Sequence, residues 1–172
     1  MANTNSPRGF EILSPIREEF VKTFNNVKSG DTFKPGDPVY IDSSGYQTST
    51  SGSILGIAMS TVLDTNGEYA ATGGASNNYS VVVYTDPNVI MKAQITTYAI
   101  TAPYTCATRS ACFDIAGATG VKYIDAGASS LDDIVPIKLS TEHDTGIPSV
   151  VGAYAKVECM FNPARHLFAK NS

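Results

Sequence analysis

Two histidines and three cysteines are the residues best able to do chemistry in this chain. His143 sits in Glu142-His143-Asp144, ahead of Gly146-Ile147-Pro148, an arrangement that would suit the orienting end of a catalytic triad or a pair of metal ligands. The same mixture of charges beside a Gly and a Pro is what an exposed loop contains, and that reading is preferred; a hydrolase built around His143 is the alternative. His166, in Pro163-Ala164-Arg165-His166-Leu167, follows the last strand pattern, where docking of a tail explains it better than proton shuttling. Cys106 and Cys112 flank the five residues Ala107-Thr108-Arg109-Ser110-Ala111, wider than a zinc pair and with no second pair elsewhere. A disulfide between them stays open. Cys159 falls on an apolar strand face, where a free thiol behaves as a small hydrophobe.

Weaker signals resolve the same way. Gly73-Gly74 and Gly117-Ala118-Thr119-Gly120 lack the Lys-Ser/Thr ending and strand-to-helix setting of a phosphate loop, so they read as turns. Asn78-Tyr79-Ser80 matches a glycosylation sequon, but no signal-peptide pattern accompanies it. Asp125 and Asp132-Asp133 could touch calcium, yet the spacing of an EF-hand loop is missing. The expectation is a non-enzymatic chain with no catalytic residue, no cofactor and no metal.

Composition agrees with a binding or structural role. The 172 residues suffice for one domain with a core, and charged residues make up only 16% of them, so the surface leans on Ser, Thr, Asn, Gly and Ala. Such a surface opposes association weakly. A net charge of −4 argues against nucleic acid, and no apolar run is long enough to span a bilayer, so neither nucleic acid nor membrane is an expected partner. Between Pro35 and Met91 there is no Lys or Arg, whereas the first 34 residues carry Arg8, Arg17, Lys22, Lys28 and Lys34. Either this asymmetry is chance, or the two regions meet different partners.

The elements that would position these residues are strands. Residues 1–34 read as an amino-terminal arm with Phe10, Ile12, Ile16, Phe20, Val21 and Phe24 among charges. Ser14-Pro15 could open a helix through Ile16, Phe20 and Phe24, and an extended arm is equally compatible with Pro7 and Pro15. Residues 35–172 read as a single β domain. Asp37–Asp42 and Tyr46–Thr50 flank the turn Ser43-Ser44-Gly45; Ile54–Met59 is a strand whose Gly56 marks a bulge or close backbone approach; Ser80–Tyr84 is a central strand. Val89, Met91, Ala93 and Ile95 alternate, Phe113–Ile115 and Val121–Ile124 form a hairpin, and Pro136 assigns its strand to an edge or bulge. Val135, Ile137 and Leu139 are expected to share a face. In the last strand Val151, Ala153, Ala155, Val157, Cys159 and Phe161 share one. Short strands with frequent turns indicate an all-β sandwich or barrel; no repeat of fixed period and no coiled-coil heptad stands out.

Five segments carry a resemblance. The opening Met1-Ala2-Asn3-Thr4-Asn5-Ser6-Pro7-Arg8-Gly9-Phe10, then Gly36-Asp37-Pro38-Val39, Gly56-Ile57-Ala58, Val83-Tyr84-Thr85-Asp86-Pro87, and the closing Ala155-Lys156-Val157-Glu158-Cys159-Met160-Phe161-Asn162 resemble, in this order, the head decoration (cement) proteins of tailed bacteriophages. The Cys106–Cys112 segment has no counterpart in that family. The resemblance implies an all-β body (a small β-barrel, jelly-roll-like or β-tulip-like) with an extended amino-terminal arm. It implies synthesis in a bacterial host cytoplasm and attachment to the exterior of an expanded icosahedral head. The implied partners are the major capsid protein and further copies of the chain itself, a homotrimer ahead of a homodimer. Arg8, Phe10, Ile12, Ile16, Arg17 and Phe20 are the residues expected to contact capsid or neighbouring copies. A phage tail or receptor-binding β module is a further alternative, although such chains commonly show repeats or a trimerising coiled coil.

Overall fold

The computed structural model describes residues 8–74, 78–96, 112–126, 133–140 and 154–169. It is an all-β protein built from antiparallel sheets. The chain divides into two compact units: a first made of Pro15–Pro87 with Pro163–Ser172, and a second made of Met1–Ser14 with Asn88–Asn162.

In the first unit a 3-10 turn at Glu18–Phe20 leads straight into β2 (Val21–Asn25). Strands β3 (Pro38–Ile41), β4 (Gln47–Thr48), β5 (Ser53–Ala58) and β6 (Ser80–Tyr84) complete a sheet of order β2-β6-β5-β3-β4. The β3–β4 hairpin forms where Ser43-Ser44-Gly45 was read as a turn. Asp42 closes it, one carboxylate oxygen accepting from the Ser44 and Tyr46 N–H groups at 2.9 and 3.0 Å. β5 holds one residue more than β3 across from it, since Val39 faces Gly56 and Tyr40 faces Ile54. At that bulge Gly56 has φ +153°, and a Cβ there would lie 1.9 Å from the Tyr84 carbonyl oxygen. Only glycine lets β5 and β6 approach so closely. Val27, Phe33, Val39, Leu55, Ala58, Val62, Val81 and Val83 form the core of this unit. A bridge between Val27, just past β2, and Gln47 of β4 links the two ends of the sheet.

The second unit has a sheet of order β1-β7-β11-β10, from β1 (Glu11–Ile12), β7 (Met91–Gln94), β10 (Ile134–Leu139) and β11 (Lys156–Phe161). A hairpin of β8 (Asp114–Ala116) and β9 (Tyr123–Asp125) joins it through single bridges, Phe113 to Ile134 and Ile95 to Ile124. Val89, Met91, Ala93 and Ile95 are buried, as their alternation requires, and so are Ala155, Val157, Cys159 and Phe161. Pro136 lies both on the edge strand and at a bulge, the register against β11 shifting between Pro136 and Lys138. That bulge corrects one expectation. Ile134 and Pro136 point inward before it, whereas Val135, Ile137 and Leu139 are each partly exposed. No ladder among the described residues closes either unit into a full barrel.

The two units share a plan. In chain order the first pairs strand 1 with 5, 5 with 4, 4 with 2 and 2 with 3, and a parallel bridge returns from strand 3 to the end of strand 1. Taking β7, β8, β9, β10 and β11 as strands 1 to 5, every pairing recurs in the second unit with the same sense. The sequence holds a trace of this: Ile54, Ile57, Ser60, Thr61, Asp64 and Thr65 recur eighty residues on as Ile134, Ile137, Ser140, Thr141, Asp144 and Thr145. A repeat is therefore present where none had been read.

Candidate functional site

The six expected contact residues fall into both units. Arg8 is exposed in the second unit, while Phe10 is only 3% exposed there. Next to them, Ile12 pairs with Met91 in the β1–β7 ladder, and Glu11 reaches Lys92 at 2.8 Å. The described part of residues 1–34 thus pairs with the body through β1 and β2, and Phe10 is buried. The helix considered through Ile16, Phe20 and Phe24 is a single 3-10 turn followed by strand.

Ile16, Arg17 and Phe20 build a local constellation in the first unit. Arg17 Nη2 lies 2.7 Å from Asp86 Oδ2, with the Asp86 side chain only 5% exposed and Arg17 half exposed. The guanidinium also lies over the Phe20 ring, 4.4 Å from its centre, and Phe20 meets Tyr84 edge to face. Tyr84 ties the group to the backbone: its hydroxyl donates to the Pro15 carbonyl at 3.4 Å and accepts from the Arg17 N–H at 3.3 Å. Thr85 donates through both its hydroxyl and its N–H to the Phe20 carbonyl at 2.9 Å. The hydrogen bond to Asp86 raises the Arg17 pKa further, so this is a permanent cation. Such a clamp can present a fixed charge and hold Ile16 outward, 52% exposed beside exposed Glu18 and Glu19.

Sequence reasoning missed Asp86 and Tyr84 as partners of this arginine. The available signal was the charge asymmetry, whose two sides meet inside one unit: Arg17 with Asp86, and Lys28 with Asp42 at 3.6 Å.

The other chemical candidates are structural or lie outside the described residues. His143, Asp144, Cys106 and Asp132 are outside them. His166 is fully buried, bridged to Ile54 of β5 while the neighbouring Leu167 N–H donates to the Ile54 carbonyl at 2.8 Å. Its Nδ1 accepts from the Phe168 N–H at 3.3 Å, and burial draws its pKa down to about 4. It is therefore a neutral docking residue at neutral pH. Cys112 and Cys159 are buried, Cys159 as a free thiol, and burial pushes Cys159 far above the usual thiol range. Gly73 is a backbone joint, accepting from the Gly30 N–H at 3.0 Å and donating to the Asp31 carbonyl at 2.9 Å. Among the described residues no three His, Cys, Asp or Glu gather as metal ligands would. No protein-family model, curated protein or solved structure matches the chain.

Proposed function

We propose that this chain is a structural protein of a tailed-phage particle, binding the outside of the assembled head as a homo-oligomer and stabilising it. The observation that carries the reading is the position of the resembling segments in the fold. Gly36-Asp37-Pro38-Val39, Gly56-Ile57-Ala58 and Val83-Tyr84, far apart in sequence, are neighbours in one sheet: Pro38 pairs with Ile57, Val39 with Gly56, Ile57 with Tyr84 and Ala58 with Val83. The closing segment forms β11, the inner strand between β7 and β10. The resemblance thus lies on the framework of both units, where a shared fold leaves its residues. A protein that binds only the assembled lattice stabilises it by mass action, and linked copies turn weak single contacts into avidity.

Co-sedimentation of purified protein with empty expanded heads tests the reading. Binding, with decorated heads melting above bare ones, is the expected result. Failure to bind heads would reject it. Adhesion to host cells would favour the receptor-binding alternative, and a turnover abolished by His143→Ala would favour the hydrolase.

A further inference from the structure

The shared plan of the two units exposes a difference at one edge. Each fifth strand ends on a proline, Tyr84-Thr85-Asp86-Pro87 after β6 and Met160-Phe161-Asn162-Pro163 after β11, and Val81 and Val83 match Val157 and Cys159 as fully buried positions. Lys22, opposite Val83, then corresponds to Met91, opposite Cys159; Thr23, opposite Val82, corresponds to Lys92, opposite Glu158. On β7 this outer edge carries β1, antiparallel, with Ile12 against Met91 and Glu11 against Lys92. Met91, Ala93 and Gln94 are buried there. On β2 no described residue pairs with the outer edge of Val21–Thr23, and Lys22, Thr23 and Asn25 are exposed.

We infer that the chain is a tandem duplication of one five-stranded unit, and that the outer edge of β2 is the vacant counterpart of the β1 slot, filled by β2 of a second copy in a twofold antiparallel pair. The Phe20 carbonyl accepts from the Thr85 N–H, so ladder alternation turns residues 22 and 24 toward β6 and the backbone groups of Val21, Thr23 and Asn25 outward. Gln47 agrees: with its NH2 group turned toward β2 it donates to the Asn25 carbonyl on this outer side. A twofold axis normal to the sheet pairs residues of equal parity. Centred on Lys22 it would oppose two ammonium groups, which cross-strand pairing disfavours. Centred on Thr23 it sets Thr23 against Thr23, Lys22 against Phe24 and Val21 against Asn25, with no like charges opposed. The strand is thus self-complementary in that register, and the antiparallel sense is the one β1 already uses on β7.

This rests on the homo-oligomer part of the proposed function and names its interface as a twofold dimer. Sedimentation of the full chain at micromolar concentration should give a dimer. Thr23→Pro, which removes an outward N–H without touching the β6 ladder, and Thr23→Lys, which opposes two charges at the axis, should sediment as monomers with unchanged circular dichroism. Thr23→Cys should form a covalent dimer on mild oxidation that the unaltered chain does not form. A wild-type monomer, dimers that persist in both Thr23→Pro and Thr23→Lys, or no covalent Thr23→Cys dimer would each overturn the inference. Head binding separates the two claims. A monomeric variant that still binds heads more weakly leaves the decoration reading standing, whereas a β2-linked dimer that ignores heads rejects the decoration reading and keeps the interface.

Discussion

His166 makes acid stability the sharpest test of how the tail is held. The ring is 0% exposed and its pKa falls from the usual 6.5 to about 4, burial lowering it against a smaller upward pull from Asp86. A base depressed in the folded state is protonated first in the unfolded chain, so the unfolded state binds more protons throughout that interval. Its contribution is complete above about pH 6.5, is lost as pH falls toward 4, and changes no further below. A shift of this size corresponds to about 2–3 kcal/mol. Asp42 cannot mimic the effect, because backbone hydrogen bonds hold its pKa below 3.8, so its stability is lost only under more acid conditions. His166→Asn keeps an acceptor for the Phe168 N–H and removes the titration. Urea unfolding monitored between about pH 7 and pH 4 should show wild type losing roughly 2 kcal/mol more than His166→Asn. Parallel pH profiles would refute the buried, neutral histidine and with it the docked tail.

Two further outcomes test the framework. Gly56→Ala should destabilise by roughly 2–4 kcal/mol, or prevent folding, because its Cβ would meet the Tyr84 carbonyl within the bulge; thermal melting near wild type would count against that close approach. Thiol labelling of native protein should miss Cys159 and recover it after denaturation, since the side chain is fully buried; rapid native labelling would mean the faces of β11 are reversed.

How much of this was legible depended on whether the cause was local. The β3–β4 and β8–β9 hairpins, the central β6, the bulge at Gly56 and the buried face of β11 all follow from alternation and turn residues within a few positions. The inward turn of Ile134 and Pro136 did not, because a bulge changes which parity faces the core, and its position depends on the partner strand. Pairing of β1 with β7 and of β2 with β6 joins residues about eighty and about sixty apart, so the apolar residues of the first 25 positions looked like an arm in search of a surface. Such distance also hid the clamp: Arg17 and Asp86 were both visible as charges, but not as neighbours. The repeat escaped notice because a β framework constrains apolar parity and turn chemistry far more than identity. The β5 and β10 segments retain the most matched residues at constant spacing, and β6 and β11 keep Val81 with Val157 and Pro87 with Pro163.

Those two repeats also explain the punctuation of the chain. It passes between units at three points, Ser14-Pro15, Pro87-Asn88 and Asn162-Pro163, and each carries a proline. Proline has no N–H for a ladder and restricts the residue before it, so a strand cannot run through these points from one sheet into another. The consequence is an exchange of ends. The amino-terminal strand β1 pairs in the unit formed by residues 88–162, while Ala164–Phe168 dock on β5 in the unit formed by residues 15–87. A duplication alone would leave each unit closed on its own strands. Here each takes one extra segment from the far end of the chain, and the two segments use different edges: the outer edge of the first strand in one unit, and the fourth strand in the other. Among the described residues nothing pairs with the first-strand edge of the amino-proximal unit, so the proposed twofold pair would use β2 and not β7.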